Sequence, residues 1–266
     1  MMEKIFKVII VIACILVGTL LFVPIFSLLL KIRAASFMST IKSKEILHPL
    51  LLSIYTSAFS TLIAVVLGLG VSYVLTFKDI KLKRILDAVV TLPIVLPPSV
   101  AGYLLLLAFG RYGLVGQVFY YYGISIMFTK YAIIMAQVFV ILPFTINSIC
   151  SSFDEIDCNY QKVAEVLGAS EWYIFKRIIL PLSKGGILTG AILAFSRAMG
   201  EFGATMLVSG LNETMTIAIY RNAMSGKRME ADVLSLVMVF VSLCMIFVVK
   251  SLSFKYSSYG EGGKVI

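Results

Sequence analysis

Histidine occurs once in the 266 residues, at His48. An HExxH zinc site, a Ser-His-Asp triad or a Cys-His pair would have to be built on that one ring, just before a proline, which leaves histidine-based catalysis almost no footing. Charge is scarce too: 14% of residues are ionised, against about 25% in soluble domains. Acids are the rarer sign, with 14 Asp and Glu against 23 Lys and Arg. The four cysteines, Cys14, Cys150, Cys158 and Cys244, form no disulfide framework and no CxxC spacing. Three of them lie in apolar runs, where the thiol behaves as a small hydrophobe. Neither Gly226-Lys227 nor Gly263-Lys264 is followed by Ser or Thr, so the chain has no P-loop with which to bind ATP. No metal or cofactor is expected in this chain.

What the sequence does have is apolar length. Hydrophobic residues make up 60% and the mean hydropathy is +0.99, and a bilayer-crossing helix needs about 20 mostly apolar residues. Runs at 8–30, 49–77, 85–109, 131–151, 186–210 and 233–249 predict an all-α, polytopic membrane protein of about six transmembrane helices. The first run is too long for a signal-peptide core and lacks a clear cleavage site, so it is read as an uncleaved span. The whole chain, 1–266, is then one membrane domain. The net charge of +9 is spread over small clusters between apolar runs, which fits contact with membrane lipid and argues against a nucleic-acid partner. With the N-terminus inside, thirteen of the 23 basic residues fall on the cytoplasmic side and nine outside, with Arg197 within the fifth run. That bias favours two cytoplasmic termini, although the basic stretch 31–44 opposes it.

The one long polar connector, 153–185, is the most informative segment. Its core runs from Lys162 through Ala164, Glu165, Leu167 and Gly168 to Trp172, and then from Phe175 to Leu180-Pro181. Val163, Leu167, Ile174 and Ile178 recur at helical intervals, Gly168 can end a first helix with a positive φ, and Pro181 is expected to stop a second. A helix, glycine turn and helix of this kind suits either an amphipathic hairpin lying on the membrane or a docking element for a soluble partner.

This segment resembles the cytoplasmic loop of permease subunits of ATP-binding cassette importers. Their loop reads Glu-Ala-Ala, three residues to Gly, and about nine more to an Ile-x-Leu-Pro end. Ala164, Leu167-Gly168, Ile178 or Ile179, and Leu180-Pro181 follow that order, while Lys162-Val163 stand where the family has Glu-Ala. Two further stretches are similar to molybdate permeases: Leu92 to Tyr103 with Phe109-Gly-Arg-Tyr-Gly113, and Ser196 to Thr205. The likeness implies a type I importer permease fold and a cell-membrane location. It also implies ATPase partner subunits carrying ATP and Mg, an extracytoplasmic oxyanion-binding protein and a permease homodimer. Molybdate is the implied cargo, with tungstate or sulfate and thiosulfate as alternatives. Lys162, Ala164, Glu165, Leu167, Gly168, Trp172, Leu180 and Pro181 are the implied ATPase-coupling residues. An ion-gradient-driven transporter is the competing class, but no internal repeat is evident, and Glu201 is the only acid well inside a run.

Two intramembrane features bear on a route. Pro93, Pro97 and Pro98 should break or kink the third helix. Freed backbone groups survive in lipid only against protein or in a water-filled cavity, so Pro97, Pro98 and Ser99, near Gly102, mark either a packed kink or a pathway lining. Arg197 and Glu201 are four residues apart, which on a continuous helix puts them on one face. They form either a self-neutralising structural pair or, with Thr205, part of an anion pathway. Gly200 and Gly203 should admit a neighbouring helix, as should the small pair Gly186 and Gly190. Tyr120, Tyr121 and Tyr122 suit an aromatic belt, and Trp172 suits either lipid headgroups or a partner.

Overall fold

The computed structural model describes residues 2–31, 37 and 40–261, with side chains described except at 3, 5 and 252–261. Arg33 of the basic stretch and Lys264 therefore lie outside the described residues. Twelve helices follow one another among the described residues. They are α1 (Met2–Lys31), α2 (Lys44–Phe77), α3 (Lys83–Val95), α4 (Pro98–Phe109), α5 (Gly116–Tyr121) and α6 (Lys130–Asp154). Then come α7 (Cys158–Val166), α8 (Glu171–Leu182), α9 (Lys184–Met199), α10 (Gly203–Val208), α11 (Met215–Met224) and α12 (Arg228–Glu261).

The centre of the bundle is α2 laid along α6, with α9 against both. The buried side of α2 is made of small residues at three- and four-residue spacing: Ser53, Ser57, Ser60, Ala64, Gly68 and Ser72. Small side chains let helix axes approach where lipid provides no hydrophobic drive for association. A Cβ at Gly68 would stand 3.2 Å from Ile149 Cδ1. The serine hydroxyls then bond across the gap, Ser72 Oγ to the Ile146 carbonyl at 3.0 Å and Ser60 Oγ to Gln137 Oε1 at 2.9 Å. Gly186 and Gly190 work in the same way, each set directly against a serine of α6, Ser152 and Ser148. By contrast α1 is apolar and exposed along its length, as suits a lipid-facing helix.

The six expected spans are met when each bent helix pair counts as one. Among the described residues four helices are long and apolar enough to cross a membrane unbroken, and six result if two bent pairs each count as one. The third run turns by 114° between α3 and α4. The break falls at Leu96-Pro97, while Pro93 sits inside α3 without ending it. Pro98 occupies the first turn of α4, where a missing N–H costs nothing. The fifth run is also interrupted, since α9 stops at Met199 and the chain resumes as α10. At 16 residues, α9 is only about 24 Å long.

Candidate functional site

The connector is seated on the bundle by one cluster. Ala164, Ile174 and Ile179 are buried against Ile149 and Phe153 of α6, with Tyr73, Phe77 and Phe175 packed around them. Rings link the elements: Phe77 lies 5.6 Å from Phe153 and Tyr73 lies 5.3 Å, edge-on, from Phe175. Both short helices carry N-caps that the periodicity argument passed over. Asp157 accepts from the Asn159 N–H at 2.9 Å and Ser170 from the Tyr173 N–H at 3.3 Å, a pattern legible as Asp or Ser before a helical turn. Glu171 forms an ion pair with Lys78, the residue that closes α2. The hydrogen bond that the Lys78 ammonium donates to Glu171 holds it above its ordinary pKa. A raised lysine pKa stabilises the fold fully below the ordinary lysine value, and the effect is lost only as pH rises through the raised one. The clasp is therefore intact throughout the neutral range.

Gly168 does what its position predicts. Its φ is +82°, the Ala169 N–H bonds the Ala164 carbonyl, and the Gly168 N–H bonds the Glu165 carbonyl, both at 2.9 Å. This is the double hydrogen bond of a Schellman turn. The expected apolar stripe divides here. Ile174 is buried and Ile178 half-buried, but Val163 and Leu167 point away from the bundle together with Val166, the last two more than 80% exposed. Lys162 and Glu165 are exposed beside them, Glu165 accepting from Gln161 Nε2 at 2.8 Å. Trp172 is 67% exposed and leans on Phe175. Pro181 does not stop α8, because the turn before it, Phe175–Ile179, is π-helical. A wider turn just upstream makes room for a ring that lacks an N–H, and such π segments concentrate at functional places. The chain bends by 71° two residues later, at Ser183, where Ser152 Oγ donates to the Ser183 carbonyl at 3.0 Å. Leu180 is half-buried and Pro181 exposed.

The second constellation is the meeting of α4, α9 and α10. Arg197 Nη1 lies 2.8 Å from Glu201 Oε2, so the expected pair forms, but Glu201 lies beyond the end of α9, whose C-cap is Gly200. Past this break Glu201 caps the start of α10. Its Oε1 accepts from the Ala204 N–H at 3.0 Å, and its backbone carbonyl accepts from Thr205 Oγ1 at 3.0 Å and Thr216 Oγ1 at 2.8 Å. Glu201 is 1% exposed, whereas the Arg197 side chain is 38% exposed. Gln137 of α6, missed in the sequence, braces the same place by donating Nε2 to the Ala198 carbonyl at 3.0 Å and to Ser57 Oγ at 3.4 Å. Its only sequence signal is an amide inside an apolar run.

Pro98 and Ser99 come to this junction, since a Cβ at Gly203 would lie 2.8 Å from Pro98 Cβ and 3.2 Å from the Ser99 nitrogen. Gly200, in contrast, touches no other helix. Gly102 is a packing residue: it is buried, and a Cβ there would meet the Ala204 carbonyl oxygen at 2.7 Å. Pro97, Pro98 and Ser99 are exposed and Thr205 is buried. Gly102→Val should therefore force α4 off α10 at a cost of about 1–3 kcal/mol. The expected result is a lower midpoint of thermal aggregation for the detergent-solubilised chain, and an unchanged midpoint would show that the two helices are not in contact.

Comparisons with known proteins agree with this architecture. Over 227 residues the chain is 36% identical to the molybdenum transport system permease protein ModB of Mycobacterium tuberculosis, covering 84% of this chain and 86% of that one. It is 31% identical to a probable sulfate transport system permease protein of Chlorella vulgaris, covering 76% of this chain and 77% of that one. A chain of a bacterial alginate ABC transporter has the same fold, with a TM-score of 0.70 at 16% identity over 94% of this chain and 95% of its own. Residues 64–254, from the middle of α2 into α12, match the model for the binding-protein-dependent transport system inner membrane component. The chain is thus a multi-pass membrane transport subunit, not itself an enzyme, and belongs to the family of binding-protein-dependent transport system inner membrane components.

Proposed function

We propose that the chain is the permease of a molybdate importer, working as a homodimer with two ATPase subunits and an extracytoplasmic oxyanion-binding protein. The observation that carries the cargo is the 36% identity, across 84% of the chain, to a molybdenum permease. The sulfate permease relative keeps sulfate as the second reading. In this reading the whole chain is one membrane domain with both termini cytoplasmic. ATP binding draws the ATPase subunits together, and the connector carries that motion into the helices. Its outer surface is suited to receiving a partner, since Val163, Val166 and Leu167 stand exposed between Lys162 and Glu165. Apolar groups rimmed by charge mark a docking surface, with Trp172 at its edge. Ala164 anchors the element to α6, and Gly168 sets the angle between its two halves. Leu180 and Pro181 pass the movement to the bend at Ser183.

Arg197 supports both the homodimer and the route. A guanidinium at membrane depth costs about 2.5–3.5 kcal/mol even on the lenient insertion scale, so its exposed part needs a polar covering. A second copy across an aqueous cavity provides one, with Pro97, Pro98 and Ser99 on the same wall. Arg197 then offers positive charge to the passing anion, while Glu201 and Thr205 keep that charge placed and prevent tight capture.

Uptake into vesicles containing the reconstituted complex tests the cargo. ATP-dependent accumulation of molybdate is expected, tungstate close behind and sulfate weaker. Accumulation of an amino acid, a sugar or a metal cation, with none of these oxyanions, would overturn the assignment. Topology has its own check: a cysteine placed at Ser170 should resist a membrane-impermeant thiol reagent added outside intact cells, and ready labelling would put the connector on the wrong side.

A further inference from the structure

A cavity of about 690 Å³ lies at the connector end of the bundle, between the end of α2, the start of α3 and the last turns of α6. It is far from apolar. Lys81, Lys83 and Arg84 line it, as do Asp79, Asp87 and Asp154. Among the described residues, none of these six is within ion-pairing distance of another. Unlike charges that share a cavity without pairing leave their hydrogen-bonding groups available to a third party.

Three further observations fix the sign of that third party. First, Lys83 and Arg84 open α3, a 13-residue helix with no acid in its first turn and no side-chain cap from Leu82, so the positive end of its dipole faces the same space. Second, Thr76 Oγ1 is buried without any hydrogen-bond partner, and Thr76 and Asn147 both belong to the lining of the cavity. A buried hydroxyl left unsatisfied is costly unless something accepts from it. Third, α3 is amphipathic in an unusual sense. Ile85, Val89 and Leu92 are exposed along one stripe, while Lys83, Arg84 and Asp87 line the cavity, Arg84 and Asp87 at its solvent-exposed side. A helix that shows its apolar side outward and its charges to a cavity is shaped to enclose polar contents.

We infer that this cavity is a second oxyanion site, in which Lys81, Lys83, Arg84 and the Thr76 hydroxyl hold a tetrahedral oxyanion or phosphate group. The three aspartates bring the formal charge of the lining to zero, so a dianion is held weakly, which suits a release station better than a store. The same chemistry serves two sources: the carried oxyanion after translocation, or the phosphate of a lipid headgroup at the membrane boundary. Only the first source rests on the function proposed above.

Cys150 lines the cavity and reports its occupancy directly. In the full-length chain carrying Cys14→Ser, Cys158→Ser and Cys244→Ser, Cys150 is the sole thiol, and its rate of reaction with neutral methyl methanethiosulfonate is measured in detergent. Molybdate at about four times its dissociation constant is expected to slow labelling about fivefold, the effect of four-fifths occupancy. Sodium chloride at equal ionic strength should not, and Lys83→Gln with Arg84→Gln should abolish the protection. Protection by phosphatidylglycerol but not by molybdate, lost in the same double variant, assigns the site to a lipid headgroup. Labelling unaffected by either anion, or slowed equally in the double variant, overturns the proposal. Because labelling needs no transport, a complex that accumulates molybdate in vesicles yet shows no protection of Cys150 defeats this site and leaves the importer reading intact.

Discussion

Gly168→Pro is expected to leave the permease inserted in the membrane and to reduce ATP-driven uptake at least tenfold. Gly168 has a φ of +82°, where proline, fixed near −65°, cannot go. The substitution also removes the N–H that bonds the Glu165 carbonyl. Nothing lies within 4 Å of a Cβ at this position, so the damage is confined to the backbone of the turn and does not reach the packed bundle. The seat formed by Ala164, Ile174 and Ile179 survives, but Leu167 and Val166 are re-aimed relative to Trp172. Gly168→Asn is the control, because asparagine tolerates the left-handed conformation and should retain most of the uptake. Normal uptake and normal co-purification of the ATPase subunits by the proline variant would remove Gly168 from the coupling role. Lys162→Glu, which restores the acid that the family pattern has at this point, would show whether the departure matters for ATPase affinity.

The second large effect is at Glu201. Glu201→Ala strips the Arg197 guanidinium of its partner and the first turn of α10 of its acceptor. Because the guanidinium left behind is 38% exposed, the cost falls below the about 3–5 kcal/mol of breaking a fully buried pair, and a reduced yield of assembled complex is expected. Arg197→Ala removes a side chain that is 38% exposed and leaves the Ala204 N–H bonded to Glu201. That variant should impair uptake without changing the order of preference among molybdate, tungstate and sulfate, because a route needs no tight selectivity. The double variant Arg197→Met with Glu201→Gln separates the two roles of the pair. Replacing both charges with groups of similar shape should restore assembly, and the glutamine oxygen can still accept from Ala204. If assembly returns while uptake stays low, Arg197 serves the route. If uptake returns to the level of the unaltered chain, the pair is structural only.

What the sequence determined by itself was what depends on composition and on backbone chemistry read within a few residues. Sixty per cent apolar content, gathered into runs of about 20 residues, was enough for an all-helical membrane fold whatever the packing. The positive φ at Gly168 and the break beside Pro97 were legible because glycine and proline constrain their own dihedrals. The connector was found because a polar stretch between apolar runs cannot cross a bilayer. The tertiary structure decided whatever depends on partners distant in the chain. It passed α8 through Pro181 by way of a π turn and ended α9 at Met199, because Glu201 and Gln137 satisfy groups that a continuous helix would have satisfied itself. It divided the connector's apolar stripe into a buried anchor and an exposed face, since periodicity tells which residues share a side but not what covers it. It also gathered Thr76, Arg84 and Asn147 around one cavity, a grouping without any local signal, because contact between helices is set by how their side chains fit together and not by their spacing along the chain.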